Sequence, residues 1–85
     1  MRKYKTNNEF VLQFDKEKVT IFDPVNSHLY TLNKTASLIF NSLNKGLSIE
    51  QISQQLFEEY AINLVDAEKE VLETLDYFLK EEIIK

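Results

Sequence analysis

His28 is the sole histidine in this chain of 85 residues, and there is no cysteine. Acyl transfer from a serine needs an imidazole and a carboxylate ordered around the hydroxyl. Neither Ser27 nor Ser48 has such partners in the sequence pattern. A metal site needs His, Cys or convergent carboxylate donors. Carboxylates recur at i, i+3 and i+4 in the last third of the chain (Asp66, Glu70 and Glu73), but no histidine accompanies them. With Gly46 as the single glycine, no glycine-rich phosphate loop exists. A lone histidine beside a strand reads as a surface or structural residue. We therefore expect no catalytic residue, no metal, no cofactor and no enzyme activity. The missing thiols also exclude disulfide scaffolds and fit a reducing, intracellular location.

What remains is the chemistry of the backbone. The segment His28-Leu29-Tyr30-Thr31-Leu32 alternates like a strand and runs straight into Asn33-Lys34-Thr35-Ala36, which opens a helix. The strand has no Pro, Lys or Glu, the residues that usually protect a sheet edge. An edge of this kind can accept an extended polypeptide as an added strand.

The elements that hold this segment follow from periodicity. Glu9 to Phe14 alternates with Phe10, Leu12 and Phe14 on one face. Asp15-Lys16-Glu17-Lys18 is a polar turn. Val19 to Phe22 is a second strand with Val19 and Ile21 together, and Asp23 to Ser27 turns again around Pro24. In the third strand, Tyr30 and Leu32 share one face and Leu29 and Thr31 the other. Asn33 caps a first helix whose stripe is Ala36, Ile39, Phe40 and Leu43. Gly46 stops it. Ser48 and Gln51 have the spacing of a capping box. They open a second helix with Ile49, Ile52, Leu56 and Phe57 on its apolar face and Leu47 as a staple against Ile52. Asn63 caps the third helix, with a stripe of Leu64, Ala67, Val71, Leu75, Phe78 and Leu79. Ile83 and Ile84 form a short apolar tail. The expected fold is α+β: a three-stranded antiparallel sheet followed by three helices, like a winged helix-turn-helix. Residues 1–8 form an N-terminal arm and residues 9–85 a single domain.

An apolar content of 44%, with six Phe and four Tyr, is enough for one small core. The basic start of the chain is not followed by an apolar run of signal-peptide length. No stretch approaches the roughly 20 apolar residues that span a membrane. We expect a cytoplasmic protein. The net charge of −4 is uneven, since residues 1–45 carry a balance of +3 and residues 46–85 a balance of −7. The third helix would be the recognition helix of a DNA-binding winged helix. Between Asn63 and Glu82 it carries seven acids against Lys69 and Lys80. Phosphate contacts require clustered Lys and Arg. Arg2, Lys3 and Lys5 are too few to reverse that repulsion, so nucleic acid is not the expected partner.

At the strand–helix junction the chain resembles a known family. Tyr30-Thr31-Leu32-Asn33-Lys34-Thr35-Ala36 is similar to the Y-x-L-N-x-T-A signature of PqqD-like proteins. Gly46-Leu47-Ser48-Ile49-Glu50-Gln51-Ile52 is similar to the family's G-x-S-x-E-E-I. Leu56, Tyr60, Val71, Leu75, Phe78 and Leu79 continue the match, which covers about residues 9–84. Two positions depart from the pattern. Glu70 stands where Asp is frequent, and Glu82 replaces a Gly near the end, which puts the closure by Ile83 and Ile84 in question.

The resemblance implies a domain that binds the leader segment of a ribosomally made precursor peptide. It would present that peptide to a modifying or processing enzyme (a protease, cyclase or radical enzyme), as in lasso-peptide or pyrroloquinoline quinone pathways. It further implies that the leader adds as a strand to the third strand, in the groove beside the third helix, and that the protein is a monomer or dimer. The expected peptide-binding residues are His28, Leu29, Tyr30, Thr31 and Leu32 on the strand. On the helix they are Glu70, Glu73, Thr74, Tyr77, Phe78 and Glu81. Helical periodicity alone leaves open which shoulder of the helix faces the strand. A general protein–protein adaptor using the same surfaces is the alternative, with DNA binding behind it.

Overall fold

The computed structural model describes residues 4–16 and 18–85. The basic arm residues Arg2 and Lys3 and the turn residue Glu17 lie outside the described residues. Three strands, β1 (Val11–Asp15), β2 (Lys18–Asp23) and β3 (His28–Thr31), precede three helices, α1 (Lys34–Asn44), α2 (Ile49–Tyr60) and α3 (Leu64–Lys80). The sheet is antiparallel with order β1-β2-β3, so β3 is an edge. This is the α+β, winged-helix-like arrangement expected from the sequence.

The turns set the register. Lys16 adopts φ 56, as a tight two-residue hairpin requires, and Asp15 pairs with Lys18 across it. The second hairpin closes on the Asp23–His28 pair, with Ser27 at φ 56. Its loop is held by the buried Asp23 carboxylate, which accepts from the backbone N–H groups of Val25 and Asn26 and from the Asn26 amide. The Asn26 side chain, helped by those N–H groups, holds this carboxyl below its usual range against the opposing effect of burial.

All three helices start on the expected caps. Asn33 accepts from Ala36 N–H, Ser48 and Gln51 form the reciprocal box, and Asn63 accepts from Asp66 N–H. At the end of α1, Gly46 (φ 82) closes a Schellman motif with bonds from Leu47 N–H to Ser42 and from Gly46 N–H to Leu43. The same motif ends α3, where Glu82 takes the glycine-like φ of 60. Ile83 N–H reaches Phe78 C=O and Glu82 N–H reaches Leu79 C=O. The departure at Glu82 therefore leaves the closure intact, with Ile83 and Ile84 buried. The C-terminal residues also pair with Lys5 to Asn7, through the Thr6–Ile84 bridge and the Asn7 N–H bond to Ile83 C=O.

The core lies between the inner face of the sheet and the helices. Val19 and Ile21 meet Ile39, Phe40 and Leu43 of α1, Ile52 and Leu56 of α2, and Ala67, Val71, Leu75 and Phe78 of α3. Phe40 and Phe78 lock α1 to α3 edge to face, with ring centroids 5.8 Å apart. Three residues expected on apolar faces are exposed instead. Phe14 overhangs the end of β1, Phe57 lies on the flank of α2, and Leu64 sits in the first turn of α3, where little packs against it. No helix among the described residues is long and apolar enough to cross a membrane.

Candidate functional site

The backbone of β3 decides which amides are free. Leu32 N–H donates to Val19 C=O at 2.9 Å. In an antiparallel ladder, bonded and non-bonded pairs alternate. Tyr30 and His28 therefore face β2 with their backbone groups, opposite Ile21 and Asp23. The N–H and C=O groups of Leu29 and Thr31 point the other way, off the sheet. Among the described residues no hydrogen bond reaches them.

One hydroxyl shapes the end of this strand. The return rung of the Leu32–Val19 pair is opened by Ser37 of α1. Its Oγ accepts from Val19 N–H (2.9 Å) and donates to Leu32 C=O (3.3 Å). Ser37 is fully buried, so both backbone groups stay satisfied while the chain leaves the sheet and turns into α1. Its place within an apolar helical run hid this role in the sequence.

Beyond the free edge lies α3. No Cα of β3 comes within 8 Å of an α3 Cα. Neighbouring strands sit about 4.8 Å apart, so α3 does not take the place of a fourth strand and a gap separates it from β3. Two depressions occupy it. The first, of about 290 Å³, brings together Leu32, Glu70, Glu73, Thr74, Tyr77 and Phe78, with Asn33 and Ala36 at its far end. The second, of about 310 Å³, takes His28 and Tyr30 from β3, Lys80, Glu81 and Glu82 from the end of α3, Asp23 from the second hairpin, and Glu9 and Phe10 from the segment before β1. Residues 28–30 thus lie near 80–82 and residue 32 near 70–78. β3 and α3 run in opposite directions along the gap, which lies on the Thr74/Tyr77 shoulder of α3.

The expected residues differ in what they present to the gap. Tyr77 is 45% exposed and Thr74 half-buried, so both can meet a ligand directly. Leu32 and Phe78 are buried and form only the floor. Phe78→Ala would cost about 3–5 kcal/mol of packing and could not isolate a binding role. Leu29 and Thr31 line neither depression; their side chains project from the opposite face of the sheet, and only their backbone borders the gap. Glu70 and Glu73 stand exposed on the rim.

Tyr30 ties strand to helix. Its hydroxyl donates to Glu81 Oε1 at 3.1 Å, and its ring stacks on Phe10 (6.4 Å) and meets His28 edge-on (6.1 Å). Burial pushes the Tyr30 phenol above its usual 10.0, and the Glu81 carboxylate adds to the shift. Ala36, Glu9 and Phe10 were not foreseen as lining residues. Ala36 follows from its place in the helix stripe just beyond Asn33. Glu9 and Phe10 enter only through the fold, which brings the segment before β1 beside the end of α3.

Residues 18–84 match the family model of PqqD, the coenzyme PQQ synthesis protein D. No curated protein matches the chain in sequence. Two solved structures share its fold. One is the lasso peptide synthetase B1 complexed with the leader peptide, 21% identical, with 99% of each chain covered and a TM-score of 0.90. The other is TbiB1 in complex with the TbiA(beta) leader peptide, 18% identical, with 95% of this chain and 94% of that one covered and a TM-score of 0.85.

Proposed function

The chain belongs to the PqqD family, and from that premise we propose that it binds the leader segment of a ribosomally synthesised precursor peptide and presents it to a modifying or processing enzyme. The leader adds as a fourth strand along β3, beside α3. Both structural neighbours were solved with leader peptides, which supports the same occupant here. The observation that carries the reading is the pair of outward amides at Leu29 and Thr31, bordering the depressions that lie between β3 and α3.

In this reading each predicted residue has a task. The backbone from His28 to Leu32 is the template. Thr74 and Tyr77 touch side chains of the leader over the Leu32–Phe78 floor. Glu70, Glu73 and Glu81 attract a leader that carries Lys or Arg, an effect mainly on association rate. The protein itself is no enzyme, uses no cofactor, and works in the cytoplasm as a monomer or dimer.

The test uses the N-terminal half of a short precursor encoded beside this chain, fluorescently labelled and titrated by polarisation. Leu29→Pro or Thr31→Pro removes one outward N–H while leaving the bonds to β2 in place. Each should weaken binding by at least about 2 kcal/mol. Retention of wild-type affinity by both variants would exclude strand addition at β3.

A further inference from the structure

The groove accounts for one face of an added strand and leaves the other unread. Cross-strand register places Val11 opposite Phe22, and Phe22 opposite Leu29. These three side chains share the outer face of the sheet, away from the helices. They are 57%, 38% and 66% exposed, so together they form a continuous apolar row in solvent. The adjacent row on that face, Gln13, Thr20 and Thr31, is polar. An apolar row that crosses all three strands and stops at a free edge is one side chain short of a neighbour.

We infer that the bound strand completes this row, so that Leu29 selects an apolar residue of the peptide on the face opposite the groove. The inference rests on strand addition at β3 and deepens it. A strand paired to the outward amides of Leu29 and Thr31 places one residue directly opposite each, with its side chain on the same face. The residue facing Leu29 then extends the apolar row, and the residue facing Thr31 extends the polar one. The peptide residues facing Tyr30 and Leu32 point inward to Tyr77 and Thr74, as the alternation of a strand dictates. The peptide is thus read on both faces, by α3 within and by Leu29 without. A second copy or an enzyme that packs on the face of the sheet covers the row without registering with it, whereas a strand on β3 sets one side chain in line with all three. The depressions beside α3 favour a single peptide strand there.

The experiment selects a display library of short randomised peptides against the wild-type chain, Leu29→Glu, Leu29→Thr and Tyr77→Ala, with circular dichroism confirming that each variant is folded. Leu29 is largely exposed, so its replacement leaves the core untouched. Wild type should enrich Val, Ile, Leu or an aromatic residue at one position, next to the position, facing Tyr30, whose preference changes in Tyr77→Ala. Leu29→Glu should convert that one position to Lys or Arg and leave its neighbours alone, since opposite charges pair across strands. Leu29→Thr should weaken the wild-type winner about two- to five-fold. Three results would overturn the inference. Enriched peptides that respond to Tyr77 but at no position to Leu29 remove the outer-face role and leave strand addition standing. No enrichment at all removes both. A wild-type dimer that Leu29→Glu dissociates without changing peptide preferences gives the row to a second copy.

Discussion

The sheet has two edges, and they differ in what stands beside them. By the alternation that frees Leu29 and Thr31 on β3, the outward amides of β1 are those of Leu12 and Phe14. Among the described residues, each edge therefore offers two outward N–H groups of the same kind. β1, however, ends in charge, with Asp15 in the strand and Lys16 and Lys18 around the turn, the usual protection against unwanted pairing. β3 carries no such residue. Among the described residues, the two depressions between β3 and α3 take no lining from β1. Open amides let a strand bind; a wall at the right distance gives its side chains something to touch.

The sharpest way to break this contrast is proline at matched positions. Thr31→Pro should weaken a bound leader by at least about 2 kcal/mol, because a buried acceptor on the peptide loses its partner. Phe14→Pro removes the equivalent amide from β1, at a side chain already 59% exposed, and should leave affinity unchanged. The reverse pattern in a titration would move the visiting strand to β1. Next in size is the wall itself. Tyr77→Ala should cost about 1–2 kcal/mol of affinity with little loss of stability. Leu72→Ala, on the shoulder of α3 turned away from the gap, should cost nothing measurable in the same assay.

Most of the scaffold was legible in the sequence because local rules and tertiary packing agreed. Asn33, Ser48 and Asn63 announced three helix starts, Gly46 announced a stop, and Val19 with Ile21 marked the inner face of the sheet. Glu82 was harder, since a glycine-type conformation held by glutamate is invisible to propensity. It is enforced by the Schellman bonds, the burial of Ile83 and Ile84, and the Asn7 side-chain amide donating to Glu82 C=O. The site divides in the same way. The strand and the Thr74/Tyr77 shoulder could be named from alternation and from 100° per residue, but which shoulder met β3 could not, because that depends on how α1 and α2 turn the chain. Ser37 and the outer row of Val11, Phe22 and Leu29 depend on register. Register sets which side chains meet across strands, and a list of spacings does not contain it.

The Tyr30–Glu81 bond offers a smaller test, because it ties the β3 edge to the end of α3. The folded-state pKa of Tyr30 lies above its usual 10.0, so the stabilisation is complete below pH 10 and is lost as pH rises through the folded-state value. Tyr30→Phe should lower stability by about 1 kcal/mol at neutral pH. The gap between the two melting curves should close in strongly alkaline solution, where the wild-type phenolate repels Glu81. A gap that persists unchanged there would mean that the hydroxyl contributes through packing rather than through its proton.

Charge should produce the smallest effect, and it too separates the edges. Along the β3 gap Glu70, Glu73 and Glu81 outnumber Lys80, whereas Asp15 and Lys18 set balanced signs beside β1. A leader carrying Lys or Arg is then steered to β3 over distances comparable to the Debye length, about 10 Å at 0.1 M salt. Stopped-flow association should slow several-fold as salt rises from about 0.05 to about 0.5 M, with dissociation almost constant. Glu70→Gln and Glu73→Gln should each lower the association rate by about two-fold, equivalent to a few tenths of a kcal/mol. If salt instead accelerated dissociation and left association alone, the acids would be contacts within the complex. The wall would then hold the peptide by paired charge rather than merely guide it in.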